Sequence, residues 1–464
     1  MLHRPPAVRA GASRTGRACP GALAWVVAAG IWVGCAAPRD ESSDLPDPEP
    51  EEASADAGLV HGSLITRYRG RHQRGGDQDH DLYAVLDLSI GDSQHDAVSG
   101  SLLARVAIDL DGAGDDSTFD SLQDTDGGST DTSLYTAYVD VHSIDALNTF
   151  RVGRQFMVEA PEFAWFDGMH LAFEPGGSSL RLGLYGGIPV REYESSSAGD
   201  RLAGAYVEGR PWTGARTRLD WLELRDETEL VDHENDILGV GVWQSLGASL
   251  HLSGEYSRLD AESRDMRFGA AWYPGDEWTL RASYFRLFTT QRDLALEADP
   301  FYDSLREYYP FQQASLLVAK DFGDRWALEG GADVRRVIDE DDVGEFNRDF
   351  ERGFVTASLL EVLPGELTLS VTADVWYADD NETEAFGAEL SRALSESGRI
   401  SLGTDYSLYK YDFFLDSEKE NVRTWYLRWR RRARTGVGLD VPYEFEEDDT
   451  DQYNTLRVVV SWHF

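Results

Sequence analysis

The chain has 464 residues, with 83 Asp and Glu against 43 Lys and Arg, a formal net charge of −40. That balance excludes a nucleic-acid partner, which would require clustered cations, and a make-up of 42% hydrophobic and 11% aromatic residues with 44 Gly fits a folded, β-rich chain. The longest apolar stretch, Ala22 to Ala37, holds 16 residues, short of the roughly 18 to 20 that a spanning helix needs, so a helical membrane protein is excluded as well.

The N-terminus carries Arg4, Arg9, Arg14 and Arg17, no acid before Asp40, and then the apolar run GALAWVVAAGIWVG. This is the order of an export signal, and residues 1–35 are set apart from the fold on that ground. Both cysteines, Cys19 and Cys35, fall in or at the edge of this leader, so the mature body has no disulfide framework and no thiol chemistry. Cys35 closes the apolar run after Trp32-Val33-Gly34 and resembles the acylated cysteine of bacterial lipoproteins, although Trp32 stands where Leu is usual. Acylation at Cys35 and ordinary cleavage near Ala37 both stay open. Residues 36–58 are acidic and Pro-rich with no aromatic residue, the composition of a solvated tether.

From residue 59 to 464 apolar residues recur at every second position in stretches of about ten, and the helical spacing i, i+3, i+4 is nearly absent. Leu367, Leu369, Val371, Ala373, Val375 and Tyr377 alternate with Thr368, Ser370, Thr372 and Asp374; Ile400, Leu402, Tyr406 and Leu408 alternate with Ser401, Gly403, Asp405 and Ser407. A soluble sandwich produces the same alternation, and the turn spacing decides between them. Short connections are read at Glu174–Ser178, Arg210–Gly214, Ser245–Ala248, Pro274–Glu277, Asp321–Asp324, Pro364–Gly365 and Arg431–Thr435. Between them fall long polar ones at Gly70–His80, Asp109–Asp131, Pro189–Gly199, Arg225–Asn235, Gln291–Glu307, Ile338–Asp349 and Leu415–Asn421. Short and long in alternation predict an all-β, antiparallel up-and-down transmembrane barrel of about 22 strands, within a range of 18 to 24. An even count leaves both termini on the periplasmic side. Ten tryptophans, Trp212, Trp221, Trp243, Trp272, Trp278, Trp326, Trp376, Trp425, Trp429 and Trp462, stand near turns or strand ends, where a membrane interface would hold them.

The last segment, Tyr453 to Phe464, puts Leu456, Val458, Val460, Trp462 and Phe464 on one face. It resembles the C-terminal assembly signal of Gram-negative outer-membrane barrels, which implies that Trp462 and Phe464 are read by the barrel assembly machinery. Arg151-Val152-Gly153-Arg154-Gln155, followed by Phe166-Asp167-Gly168, is similar to the R-x-G-R-Q and F-D-G pair of alginate-export-like and porin-like barrels. The match covers some 20 residues and implies porin-like transport. The residues themselves suggest that Gly lets a strand bend while Arg and Gln suit a wet lumen.

If the apolar face meets lipid, parity assigns the other face to the lumen. Its cations are Arg105, Arg151, Arg181, Arg267, Arg281, Arg335, Arg428, Arg430 and Arg457, and its acids are Asp87, Asp140, Asp220, Glu255, Glu329, Asp333, Asp374, Asp405 and Asp440. Such residues either pair across strands and stiffen the wall, or stay unpaired and select anionic or carbohydrate solutes; Arg428 and Arg430, on one face with Arg432, lead the second reading. No catalytic constellation stands out: His251, Ser253 and Glu255 share a strand face at a spacing with little specificity. The loop from Asp109 to Asp120 has carboxylates at EF-hand-like offsets but Ala113 at a ligand position, so divalent-cation binding competes there with a plain solvated acidic loop. No cofactor is expected. The sequence thus predicts an outer-membrane porin-like channel for small hydrophilic, carbohydrate or anionic solutes. Its rivals are a closed structural or assembly barrel with acidic outer loops and, more remotely, a barrel hydrolase.

Overall fold

The structure is a computed structural model that describes residues 59–464 apart from 93–95, 112–118, 120–127, 145–146, 160, 177–178, 191–198, 228–231, 290–309, 339–348, 364–365, 379–380, 396, 413–416 and 434–435. The leader, Cys35 and the acidic tether lie outside these residues.

Twenty-two strands form one antiparallel sheet: β1 (Val60–Gln73), β2 (Gln78–Ile90), β3 (Val98–Asp109), β4 (Thr130–Ile144), β5 (Leu147–Met157), β6 (Ala164–Phe173), β7 (Leu180–Pro189), β8 (Arg201–Gly209), β9 (Ala215–Glu227), β10 (Asp232–Leu246), β11 (Leu250–Leu259), β12 (Glu262–Trp272), β13 (Trp278–Leu287), β14 (Phe311–Phe322), β15 (Trp326–Val337), β16 (Phe350–Leu363), β17 (Leu367–Ala378), β18 (Asn381–Ser395), β19 (Gly398–Asp412), β20 (Ser417–Arg432), β21 (Val437–Glu447) and β22 (Gln452–His463). Each pairs with its sequence neighbours, and β1 pairs with β22, so the sheet closes into a barrel in which every described strand has a partner on both sides over at least part of its length. The closing rung is made by Gly62 and Phe464, each N–H donating to the other's carbonyl at 2.9 and 3.0 Å.

The predicted strand count holds, and so does the alternation of short and long connections over much of the chain. At the end of the barrel where β1 starts and β22 finishes, strands are joined across a few residues, as at 247–249 and 323–325. Gly323, at φ +62°, takes the left-handed backbone that so short a reversal requires. At the far end the long connections are 110–129, 190–200, 288–310 and 338–349. Gly70–His80 and Arg225–Asn235 are instead mostly strand: β1 and β2 run on to Gln73 and from Gln78, β9 and β10 to Glu227 and from Asp232. The reason in the first hairpin is polar pairing, for Arg69 donates to Asp81 and Arg71 to Asp79 across it. Strand length is uneven around the wall: β6, β7 and β8 have 10, 10 and 9 residues, whereas β18, β19 and β20 have 15, 15 and 16.

Successive side chains take opposite faces, and their exposure separates them. Leu219 is 56% exposed and the adjacent Asp220 only 5%; Leu402 is open on the outside while Ser401 beside it is buried. On the convex outer face side chains splay apart, and there stand Leu184, Leu219, Val240, Phe268, Leu316, Val371 and Leu402, all exposed. On the inner face side chains converge and pair.

Candidate functional site

The inner wall is a succession of cross-strand ion pairs. Arg428 on β20 donates from Nε and Nη2 to the Asp440 carboxylate of β21 at 3.0 and 2.5 Å. Arg151 on β5 grips Asp140 of β4 with two bonds of 2.8 and 2.7 Å. Arg105 reaches Asp131 at 2.5 Å, Arg457 reaches Glu444 at 2.5 Å, and Arg181 lies 3.7 Å from Glu174. Asp374, at 2% exposure, is held by Arg352, which also stands 3.6 Å from Asp333. Fork-shaped guanidinium–carboxylate pairs of this kind fix geometry as well as charge.

The remaining sequence candidates also face inward, in different settings. Arg430 is buried directly across the ladder from Asp440. Arg335 lies over the Phe311 ring at 3.8 Å and Arg267 over Phe285 at 5.3 Å, both cation–π distances. Arg281 faces the lumen between Ala271 and Leu317 with no ion pair among the described residues. Asp405 packs its Oδ1 over the bare backbone of Gly387. Trp462 and Phe464 are exposed on the outer face, their rings 4.8 Å apart.

Between β5 and β6 the chain does not turn back at the rim. Residues 158–159 and 161–163 lie along the inner wall as a strap: Glu159 accepts from Arg216 and Arg218 of β9 at 2.7 Å each, Pro161 rests against Gly239 of β10, and Glu162 is bonded to Arg264 of β12. Arg264 also donates to the Pro161 carbonyl at 3.3 Å. The strap therefore starts on β5 and is pinned as far away as β12. Beside it the inner wall carries a buried apolar cluster of Met157, Ala164, Phe166, Leu202, Leu222, Leu224 and Ile237, with Tyr185 and Tyr206. A cavity of about 400 Å³ opens there, lined among others by Asp140, Arg151, His170, Arg181, Arg218 and Glu159. His170 and the Tyr206 hydroxyl share a hydrogen bond of 3.1 Å, and Arg218 covers the Tyr206 ring at 4.0 Å.

Outside the strands, Asp111 follows the far end of β3. Burial and the neighbouring Asp109 carboxyl push its pKa up, against the His80 N–H that donates to it at 3.3 Å. Most of the acidic 109–131 loop, including the EF-hand-like positions from 112 to 118, lies outside the described residues.

Three sequence readings need correction. In the R-x-G-R-Q motif Arg151 and Gln155 do face inward, but Arg154 does not: it sits on the outer face in a two-bond pair with Asp167 of the F-D-G motif, at 2.8 Å each. Two tryptophans assigned to the membrane interface, Trp243 and Trp376, point into the lumen, where Arg216 and Arg352 cover them at 4.7 and 4.8 Å. The wall also uses residues that parity had not selected, namely Arg69, Arg71, Arg218, Arg264 and Arg352. Arg69 and Arg71 stand directly across the ladder from Asp81 and Asp79, Arg352 one same-face rung from Asp374, and Arg218 two residues from Asp220 on its own strand, and these spacings were the available signal; Arg264, held by Glu162, had none. The strap had none beyond two glutamates around Pro161.

No protein-family model matches the chain, and no curated protein matches it. Among solved structures, the P pilus usher (PapC) translocation pore aligns over 88% of this chain and 99% of its own, at 8% identity and a TM-score of 0.52. A BenF-like porin from Pseudomonas fluorescens Pf-5 aligns over 88% and 98% at 10% identity with a TM-score of 0.44, and OccAB2 of Acinetobacter baumannii over 87% and 98% at 9% identity with a TM-score of 0.44. The likeness to the usher pore is one of fold: a wide closed antiparallel barrel.

Proposed function

We propose that this chain is an outer-membrane channel for passive movement of small hydrophilic solutes, anionic or carbohydrate in class, with both termini in the periplasm. The observation that carries it is the division of one closed wall into an exposed apolar outer face and an ion-paired inner face, the arrangement a barrel needs to sit in lipid around water. The strap narrows the passage rather than lining it passively, and the rings under Arg216, Arg335 and Arg352 offer flat surfaces to sugar-like solutes. In this reading the outer face meets membrane lipid, Phe464 and Trp462 engage the assembly machinery, Cys35 is the acylation site if the leader is a lipoprotein signal, and acidic far-end loops bind divalent cations. Single-channel recording on the purified full chain tests it. Stepwise conductance that scales with salt is expected; a silent barrel would favour the second reading, a closed structural barrel, for which the observation is the strap pinned by Glu159 and Glu162.

A further inference from the structure

The barrel wall has a seam between β4 and β5. Their ladder runs from Ile144–Leu147 to Ala137–Arg154 and stops. Beyond it β4 continues to Thr130 paired with β3 alone, and β5 continues to Met157 paired with β6 alone. The strands separate just past Gly153, whose φ is +128° and where a Cβ would lie 2.2 Å from the Ala137 carbonyl oxygen. Only glycine fits that last close approach.

Side chains replace the missing rungs. Arg154 donates from Nη1 to the Leu134 carbonyl at 3.0 Å while its other nitrogens hold Asp167, and Trp165 donates from Nε1 to the Tyr135 carbonyl at 2.7 Å. Trp165 stacks on Tyr135 and on Phe156, and Phe156 packs against Phe163. A plug of side chains can shift where a ladder of backbone bonds cannot, because rotamers change without unpairing strands.

What lies on either side gives the plug a use. Outside it are the exposed apolar Val152, Met169 and Ile188. Inside it begins the apolar cluster at Met157 and Phe166, an unusual lining for a wall that is otherwise charged. The cavity runs from the inner face at Met157 up to Phe156 of the plug. At its charged end Arg151, Arg181 and Arg218 outnumber Asp140 and Glu159.

We propose that this seam is a lateral passage by which an amphipathic molecule, with an anionic head and an apolar tail, moves between the inner cavity and the membrane. The inference rests on the barrel spanning a membrane but not on axial conduction. The cationic end of the cavity takes the head, the Met157–Phe166 cluster takes the tail, and the Trp165–Phe156 plug gates the way out.

The test uses the full chain in lipid nanodiscs with dodecanoate carrying a diazirine at its tail, supplied in the lipid. Brief irradiation should give adducts on the inner-face residues Met157 and Phe166, suppressed by excess unlabelled dodecanoate. Trp165→Ala, which removes the plug, should speed their appearance at least fivefold, with a heated-versus-unheated gel checking that the variant is folded; Phe156→Ala serves if it is not. Adducts confined to outer-face positions such as Leu219 and Leu402, or inner labelling unchanged in both variants, would overturn the passage. The same preparations are recorded for conductance. A barrel that conducts but never labels inside loses the lateral passage and keeps the channel, and one that labels inside without conducting loses only the channel.

Discussion

Glu159→Gln keeps the strap's shape and removes its charge, which isolates what holds it against the wall. Glu159 accepts two charge-assisted bonds of 2.7 Å, from Arg216 and Arg218. Bonds to charged groups are worth about 1.5 to 3 kcal/mol each when shielded, but the Glu159 side chain is 54% exposed, which pulls each toward the roughly 0.2 to 1 kcal/mol of open pairs. Arg218 retains Asp220 at 2.8 Å, so no buried charge is stranded and the loss is only that of docking. A total of about 1 to 2 kcal/mol raises the undocked fraction roughly 5- to 30-fold. Single-channel records should show upward current steps more often by that factor. Adding Glu162→Gln, which breaks its ion pair with Arg264, should lengthen them. Raising salt from about 0.1 to 1 M, which shortens the screening length from roughly 10 to 3 Å, should move the unaltered channel the same way. The control is Glu351→Gln, which breaks a pair with Arg336 at the rim. Step frequency unchanged in the double variant, or an equal change in the control, would refute an electrostatic latch.

The closed ladder should make the barrel resistant to SDS until heated, so boiled and unboiled samples should migrate differently on a gel; identical migration would count against closure. Deleting Phe464 removes the last rung with Gly62 and an exposed aromatic, and the folded amount in membranes, read by that same gel shift, should fall severalfold. Arg428→Gln leaves Asp440 without its two-bond partner and should move the reversal potential toward cations at low salt, while Asp440→Asn should move it toward anions. Both shifts should fade as salt rises, and variants that shift together in one direction would remove the pair from the conducting path.

Much of the fold was legible because lipid demands a strict period of two. Leu367 to Tyr377 and Ile400 to Leu408 announce their faces, and alternating connection lengths carry the strand count. What exceeds the bilayer escapes that signal. Arg69, Arg71, Asp79 and Asp81 look like loop composition, yet they extend a hairpin by pairing with one another. Trp243 and Trp376 stand near turns, but Trp376 shares a face with Asp374 two residues before it, and Trp243 lies opposite Arg216 on the inner face. The strap was invisible since its meaning lies in contacts from β5 to β12, which no local pattern encodes. Parity did place Arg428 and Arg151 on the inner wall, but pairing depends on register between strands, and register is set by bulges such as those at Leu103/Ala104 and Ser257/Arg258.

The unequal strands also act on the surrounding lipid. At about 3.3 Å per residue and a tilt near 40°, the nine residues of β8 rise about 23 Å along the membrane normal, whereas the 16 of β20 rise about 40 Å. The longer strands run on past the hydrocarbon, whereas β6 to β8 leave no margin around an apolar band of about 25 Å, so a thicker bilayer is compressed beside them at a cost of fractions of a kcal/mol per Å. Short-chain lipids relieve that compression and should collect along this flank, giving the cylinder a preferred heading in the plane of the membrane.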